Sequence, residues 1–100
     1  MVQRSNMKTP HEYIDDIERR TDLYSKLTEE WAKCVAIEAD FYHNHRGEFK
    51  SDTACQKAFN RTEDGVNMQV IKAKLKSNEK QISAGKTALR LLDTEARNLL

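Results

Sequence analysis

An all-α fold, an antiparallel helical hairpin with a short connecting helix, follows from three observations in the sequence. Apolar residues recur at alternating spacings of three and four along two long stretches. Only 3 Gly and 1 Pro punctuate the 100 residues, and the capping residues stand at the ends of those stretches. Spacing of this kind is the sequence form of knobs-into-holes packing between long helices. We therefore expect a flexible segment over residues 1–8 and one helical domain over 9–100. That domain divides into a long helix at about 10–46, a connector with a short helix at 47–64, and a long helix at about 65–100.

The first helix has a legible start. Thr9 is placed as N-cap, Pro10 at the first helical position and Glu12 to close a capping box. Its seam runs through Tyr13, Ile17, Arg20, Tyr24, Leu27, Trp31, Cys34, Glu38 and Phe41, with Ile14, Leu23, Val35 and Ile37 beside it. The stop is read from His43, His45 and Arg46 in the last turn, with Gly47 expected as the left-handed residue beyond.

In the connector, Ser51 or Asp52 caps a short helix that carries Ala54, Cys55, Ala58 and Phe59 on one side. A helix so short needs tertiary support. Phe49, Cys55 and Phe59 are its expected contacts with the long pair. The last helix begins near Thr62 or Asp64, and its seam is Met68, Ile71, Leu75, Asn78, Ile82, Gly85, Leu89, Leu92, Ala96 and Leu99. If the hairpin folds symmetrically about the connector, Gly85 faces Tyr24 and Asn78 lies near Trp31. A small residue against a ring would explain a glycine inside a helix, and a polar seam residue fixes register. Val35, Ile37, Val66, Val70 and Leu91 fall off the seams, so a lone hairpin leaves them partly wet. Two hairpins packed as a four-helix bundle would cover them, and a dimer is the expectation.

Composition narrows the function classes. The net charge is +1, from 17 Lys and Arg against 16 Asp and Glu, so no whole-molecule field draws the chain to nucleic acid or membrane. Charged residues make up 33% and mean hydropathy is −0.83, yet the apolar residues are periodic, which argues for a solvated bundle. No run approaches a membrane span or the core of a signal peptide. The two cysteines, Cys34 and Cys55, lack metal spacing, and a cytoplasmic setting is expected.

No phosphate loop, nucleophile elbow or zinc-type ligand set is present. His43 and His45, two apart, point to opposite sides of a helix and read as cations at its terminus. We expect no catalytic, metal or cofactor site and no small-molecule substrate. Two charged surfaces remain as candidates. Lys72, Lys76 and Lys80 step by four, and with Lys86 and Arg90 they form a basic face suited to a phosphate backbone or an acidic partner; no aromatic residue interleaves with them. Asp15, Asp16 and Asp22 form an acidic face on the first helix. Trp31 and Tyr24 read as core, or as interface anchors if the first helix turns outward.

Glu30-Trp31-Ala32-Lys33, Glu38-Ala39, Lys74-Leu75-Lys76 with Glu79, and Ala88-Leu89-Arg90 with Glu95-Ala96-Arg97 together give a layout with a family likeness. From Tyr24 onward it resembles the small helical proteins that bacteriophages and prophages encode among their recombination and replication genes. The chain departs from that pattern in lacking an aromatic residue in its final helix and in carrying a short apolar helix in its connector. The resemblance implies a non-enzymatic accessory protein in the host cytoplasm. It would work through protein–protein contacts, with itself or with a phage or host protein, in support of DNA recombination or replication. Two alternatives stand beside it: direct nucleic-acid binding through the lysine face, and inhibition of a host defence or repair enzyme through the acidic face.

Overall fold

The computed structural model describes residues 8–98, and among them every regular element is helical. Helix α1 spans Pro10–His45, α2 spans Asp52–Arg61 and α3 spans Glu63–Asn98, with a 3₁₀ turn at Arg46–Glu48. The expectations for residues 1–7 and for Leu99 lie outside the described residues.

The capping chemistry forms as the sequence dictates. Thr9 Oγ1 accepts from the Glu12 N–H at 3.2 Å, and the Glu12 carboxylate accepts from the Thr9 N–H at 3.3 Å, closing the box ahead of Pro10. Ser51, rather than Asp52, caps α2, accepting from the Ala54 N–H at 3.1 Å. Thr62 caps α3: its hydroxyl accepts from the Gly65 N–H at 3.0 Å while donating to the Phe59 carbonyl at 2.6 Å.

The end of α1 departs from expectation. No glycine among the described residues has a positive φ, so Gly47 is not a left-handed cap. The helix tightens instead into the 3₁₀ turn, where the Phe49 N–H donates to the Arg46 carbonyl at 3.2 Å. The Arg46 guanidinium then donates to the Phe49 carbonyl at 2.8 Å and to Asp52 at 2.6 Å. The turn is thus closed by Arg46, through its backbone carbonyl and its guanidinium, without a left-handed residue.

Contacts divide the chain into two compact units, Met1–Tyr24 with Ser77–Leu100, and Ser25–Lys76. In each, α1 and α3 run antiparallel. In the first unit the Tyr24 hydroxyl donates to Glu79 at 2.8 Å, the Arg20 guanidinium donates to the Gln81 side chain, and Gly85 lies against Ile17. Asn78, only 3% exposed, donates from Nδ2 to the Arg20 carbonyl at 2.6 Å, and its Oδ1 has no partner among the described residues.

The second unit holds the apolar core: Cys34, Phe59, Met68 and Ile71 are buried together, with Trp31, Phe41 and Leu75 packed against them. The Phe41 ring sits 5.3 Å from Phe59, 6.5 Å from Phe49 and 4.9 Å from His45. Phe49 and Phe59 thus make the contacts expected of the connector, and Cys55 is wholly buried. Polar groups fix the other side of α2, where the Tyr42 hydroxyl donates to Gln56 Oε1 at 2.6 Å and Gln56 Nε2 donates to Asn60 at 2.9 Å.

The expected seams are the buried stripes, but their register differs by about a heptad. Gly85 faces Ile17 and not Tyr24, and Asn78 meets Arg20 and not Trp31. The reason lies in the second unit, where α2 occupies the last two turns of α1. Asn67 lies at Cys34, so one turn back α3 begins level with Glu38 rather than at the α1 terminus. The α3 seam also ends early, for Ala96 is exposed.

Candidate interaction surface

Of the expected seam residues, Leu27 and Ile71 are buried. Ile17, Tyr24, Trp31, Phe41, Leu75, Ile82, Leu89 and Leu92 are half-buried between the helices. Trp31 and Tyr24 therefore face inward, as core residues. The Tyr24 hydroxyl is held above its ordinary pKa, first by its hydrogen bond to Glu79 and then by that carboxylate's charge.

The basic residues are all exposed. In the second unit Lys72 and Lys76 stand one turn apart on α3. In the first unit Lys86 and Arg90 stand one turn apart, with Lys80 further round the helix. None of the five is in an ion pair among the described residues, so they remain solvated cations.

The acidic face is less acidic than its composition. Asp16 turns toward the seam, where Arg20 bonds it at 2.9 Å, Lys8 lies at 3.4 Å and Arg19 at 3.5 Å. The Arg20 hydrogen bond is the largest cause holding the Asp16 carboxyl below its ordinary range, and Lys8 adds to it. Asp15 pairs with His11 at 3.6 Å. Asp15 and Asp22 do line one shallow depression with Glu18, but Arg19 sits among them.

His45 pairs with Glu48 at 3.2 Å and stacks on Phe41, and among the described residues no three His, Cys, Asp or Glu side chains come together as metal ligands. No helix among them is long and apolar enough to cross a membrane.

Several large apolar side chains are covered neither by the partner helix nor by the core. Ile14, Leu23, Val35, Ile37, Val66, Val70 and Leu91 are all at least 40% exposed, with Val66 at 53% and Leu91 at 60%. In the second unit part of this set gathers beside a groove lined by Glu30, Lys33, Cys34, Ile37, Asn67 and Ile71. The spacing 30, 33, 37 on α1 and 67, 70/71 on α3 puts one flank of each helix around it. Cys34 forms its floor, 4% exposed, taking a weak hydrogen bond from Asn67 Nδ2 at 3.9 Å. Burial is the main cause that pushes this thiol above its ordinary pKa, and Glu30 and Asp64 add to it. Its burial among Phe59, Met68 and Ile71 makes it a packing residue of the core.

Off-seam apolar residues were the signal for this flank, and the sequence carries it plainly. Two features had no such signal. The buried contact at Gly65 depends on how α2 meets α3, and the Tyr42–Gln56 pairing depends on α2 lying against α1.

Fold and surface together define an all-α helical hairpin with an unpartnered apolar flank. Compared with protein-family models, curated proteins and solved structures, the chain matches none.

Proposed function

We propose that this chain is a non-enzymatic accessory protein that works by protein–protein contact through the apolar flank of α1 and α3 within Ser25–Lys76. In keeping with the sequence resemblance, we place it among phage-type proteins that support DNA recombination or replication in the host cytoplasm. The observation that carries the reading is that in Ser25–Lys76 Ile37, beside the groove on α1, and Val66 and Val70, one turn apart on α3, are left 40–53% exposed. Contiguous exposed apolar surface marks protein contact sites in soluble proteins.

The rival is nucleic-acid binding through Lys72, Lys76, Lys80, Lys86 and Arg90, favoured by their lack of internal ion pairs. The acidic-mimic reading loses ground, because Asp16 is held by Lys8, Arg19 and Arg20.

A photo-crosslinking residue placed at Val70, and separately at Lys80, in cells making the chain decides between these readings. The expected result is a protein adduct from position 70, with none from 80. Nucleic-acid adducts from position 80, together with a steep salt dependence in a titration of single- and double-stranded DNA, would instead assign function to the lysine face.

A further inference from the structure

We infer that residues 77–98 of α3 form a releasable strap. They detach from α1 and unwind while Ser25–Lys76 stays folded, and in leaving they uncover Tyr13, Ile17 and Tyr24 of α1. The device is separate from the contact flank in Ser25–Lys76.

Burial divides the two units unequally. Every buried apolar side chain among the described residues, Leu27, Cys34, Cys55, Phe59, Met68 and Ile71, belongs to Ser25–Lys76. In the other unit the α3 seam positions are Asn78, Ile82, Gly85, Leu89 and Leu92, and the three aliphatic ones are only half-buried. Gly85 adds no side chain to the seam and lowers helix propensity at its middle. Segments with few buried apolar contacts open at a lower free energy than the core of the same chain.

Polar contacts do little to hold the strap. Asn78 is the one buried residue of this unit among the described residues, and its Oδ1 has no partner there. Release lets water reach that oxygen, so its desolvation weighs against the closed state alone. The Nδ2 bond to the Arg20 carbonyl is lost at the same time, but that carbonyl keeps its place in the α1 ladder. The bonds from Tyr24 to Glu79 and from Arg20 to Gln81 are exposed, and water replaces them at little net cost.

Of the two helices it is α3 that gives way, because α1 has local support in this unit. Its capping box joins Thr9 and Glu12, and Asp16 is held by Lys8, Arg19 and Arg20. Within 77–98 the one local ion pair among the described residues is Asp93 with Arg97, at 3.1 Å. Freed of α3, this part of α1 continues a helix already folded in Ser25–Lys76 and needs no new nucleus. Tyr13, Ile17 and Tyr24 then form one apolar stripe, with Ile14 and Leu23, 44% and 47% exposed, to either side of it. The strap thus governs access to an apolar face of α1.

Native-state hydrogen exchange of the full chain, read by mass spectrometry, tests this. Amides at 80–92 should exchange at least about tenfold faster than those at 66–75 of the same helix and those at 17–24 of α1. Ile71→Val, in the buried core, should speed exchange at 66–75 by about fivefold and leave 80–92 unchanged, because the strap opens without the core. Asn78→Leu should slow 80–92 by up to about fivefold. A Cβ on Gly85 would lie 3.1 Å from Ile17 Cγ1, which suits a disulfide between Ile17→Cys and Gly85→Cys. Oxidation of that double variant should bring 80–92 down to the rate of 66–75.

Equal exchange along the whole of α3 overturns the inference, as does acceleration of 80–92 by Ile71→Val, which would mean that the strap opens only with the core. Exchange at 80–92 that the disulfide leaves unchanged also overturns it, because the amides would then open without detachment. Exchange of 17–24 in step with 80–92 overturns it as well, since α1 would be unwinding together with α3.

Discussion

Gly65 is where one methyl group should do most damage. A Cβ built on it would lie 2.7 Å from both the Asn60 Cα and the Phe59 carbonyl carbon, and closer still to the Phe59 carbonyl oxygen. All of these are backbone atoms at the corner between α2 and α3, so no side chain can swing away. Alanine is worth up to ~1 kcal/mol over glycine within a helix, which favours the substitution. Against that stands overpacking, at about 3 kcal/mol when backbone must move. The Thr62 cap, which holds the Gly65 N–H, would loosen as well, for about 1 kcal/mol more. The net expectation for Gly65→Ala is a loss of about 3 kcal/mol, equivalent to a fall in melting temperature of more than about 10 °C for a domain this size.

Circular dichroism melts of three variants make the test internal. At Gly47 an added Cβ meets nothing within 4 Å and φ is not positive, so Gly47→Ala should stabilise by about 0.5 kcal/mol. At Gly85 the new Cβ would sit 3.1 Å from Ile17 Cγ1, a half-buried side chain with room to give, so Gly85→Ala should gain a few tenths of a kcal/mol. If Gly65→Ala melts as high as Gly47→Ala, the described corner is wrong and helix propensity alone governs all three sites.

The remaining predictions concern the seam and its ends. Asn78→Leu removes a buried acceptor without a partner but also the Nδ2 bond to the Arg20 carbonyl, whose oxygen keeps a place in the α1 ladder, so it should raise stability by up to about 1 kcal/mol in denaturant titration; a loss would mean that the Arg20 bond outweighs the orphaned Oδ1. Thr9→Ala breaks the capping box and should cost about 1 kcal/mol, seen as faster amide exchange confined to the first turns of α1. Asp16 has a lowered pKa, so its contribution is present above the ordinary value of 3.8 and is lost as pH falls through the lowered one. The first turns of α1 should therefore loosen in acid, and Asp16→Asn should abolish that pH dependence in NMR titration. Cys34 has a raised pKa, so its contribution is complete below the ordinary 9.0 and is lost as pH rises through the raised value. Its alkylation at pH 8 should consequently be far slower in the folded chain than in denaturant.

Local chemistry was the most legible layer of this sequence. Thr9, Pro10 and Glu12 sit within hydrogen-bond reach of one another along the chain, so their capping box needs no tertiary information, and the same holds for Ser51 with Ala54. The buried stripes were legible for a related reason: a helix whose side chains recur every three and four residues has one apolar face whatever it packs against. Gly47 shows the limit even of local reasoning. Its sequence context fits a left-handed cap, but Arg46 reaches both Phe49 and Asp52, and that longer-range pairing satisfies the turn by another route.

Register lies deeper, because a heptad pattern is unchanged by a shift of one heptad. Every seam residue still falls between the helices when α3 slides by seven positions, so periodicity cannot choose among such slides. What chooses is the connector. Phe59 against Phe41, and Gln56 against Tyr42, seat α2 on the final turns of α1, and α3 must then start level with Glu38. The same choice decides which outer residues stand level with one another. Val70 standing level with Trp31 is a consequence of how the ten residues of α2 dock, and a symmetric hairpin would have put it a heptad away. A substitution that undocks α2, such as Phe59→Ala, should thus disturb the surface at Val70 as well as the core. The loss should read out both as a lower melting temperature and as reduced protein crosslinking from a photo-reactive residue at position 70.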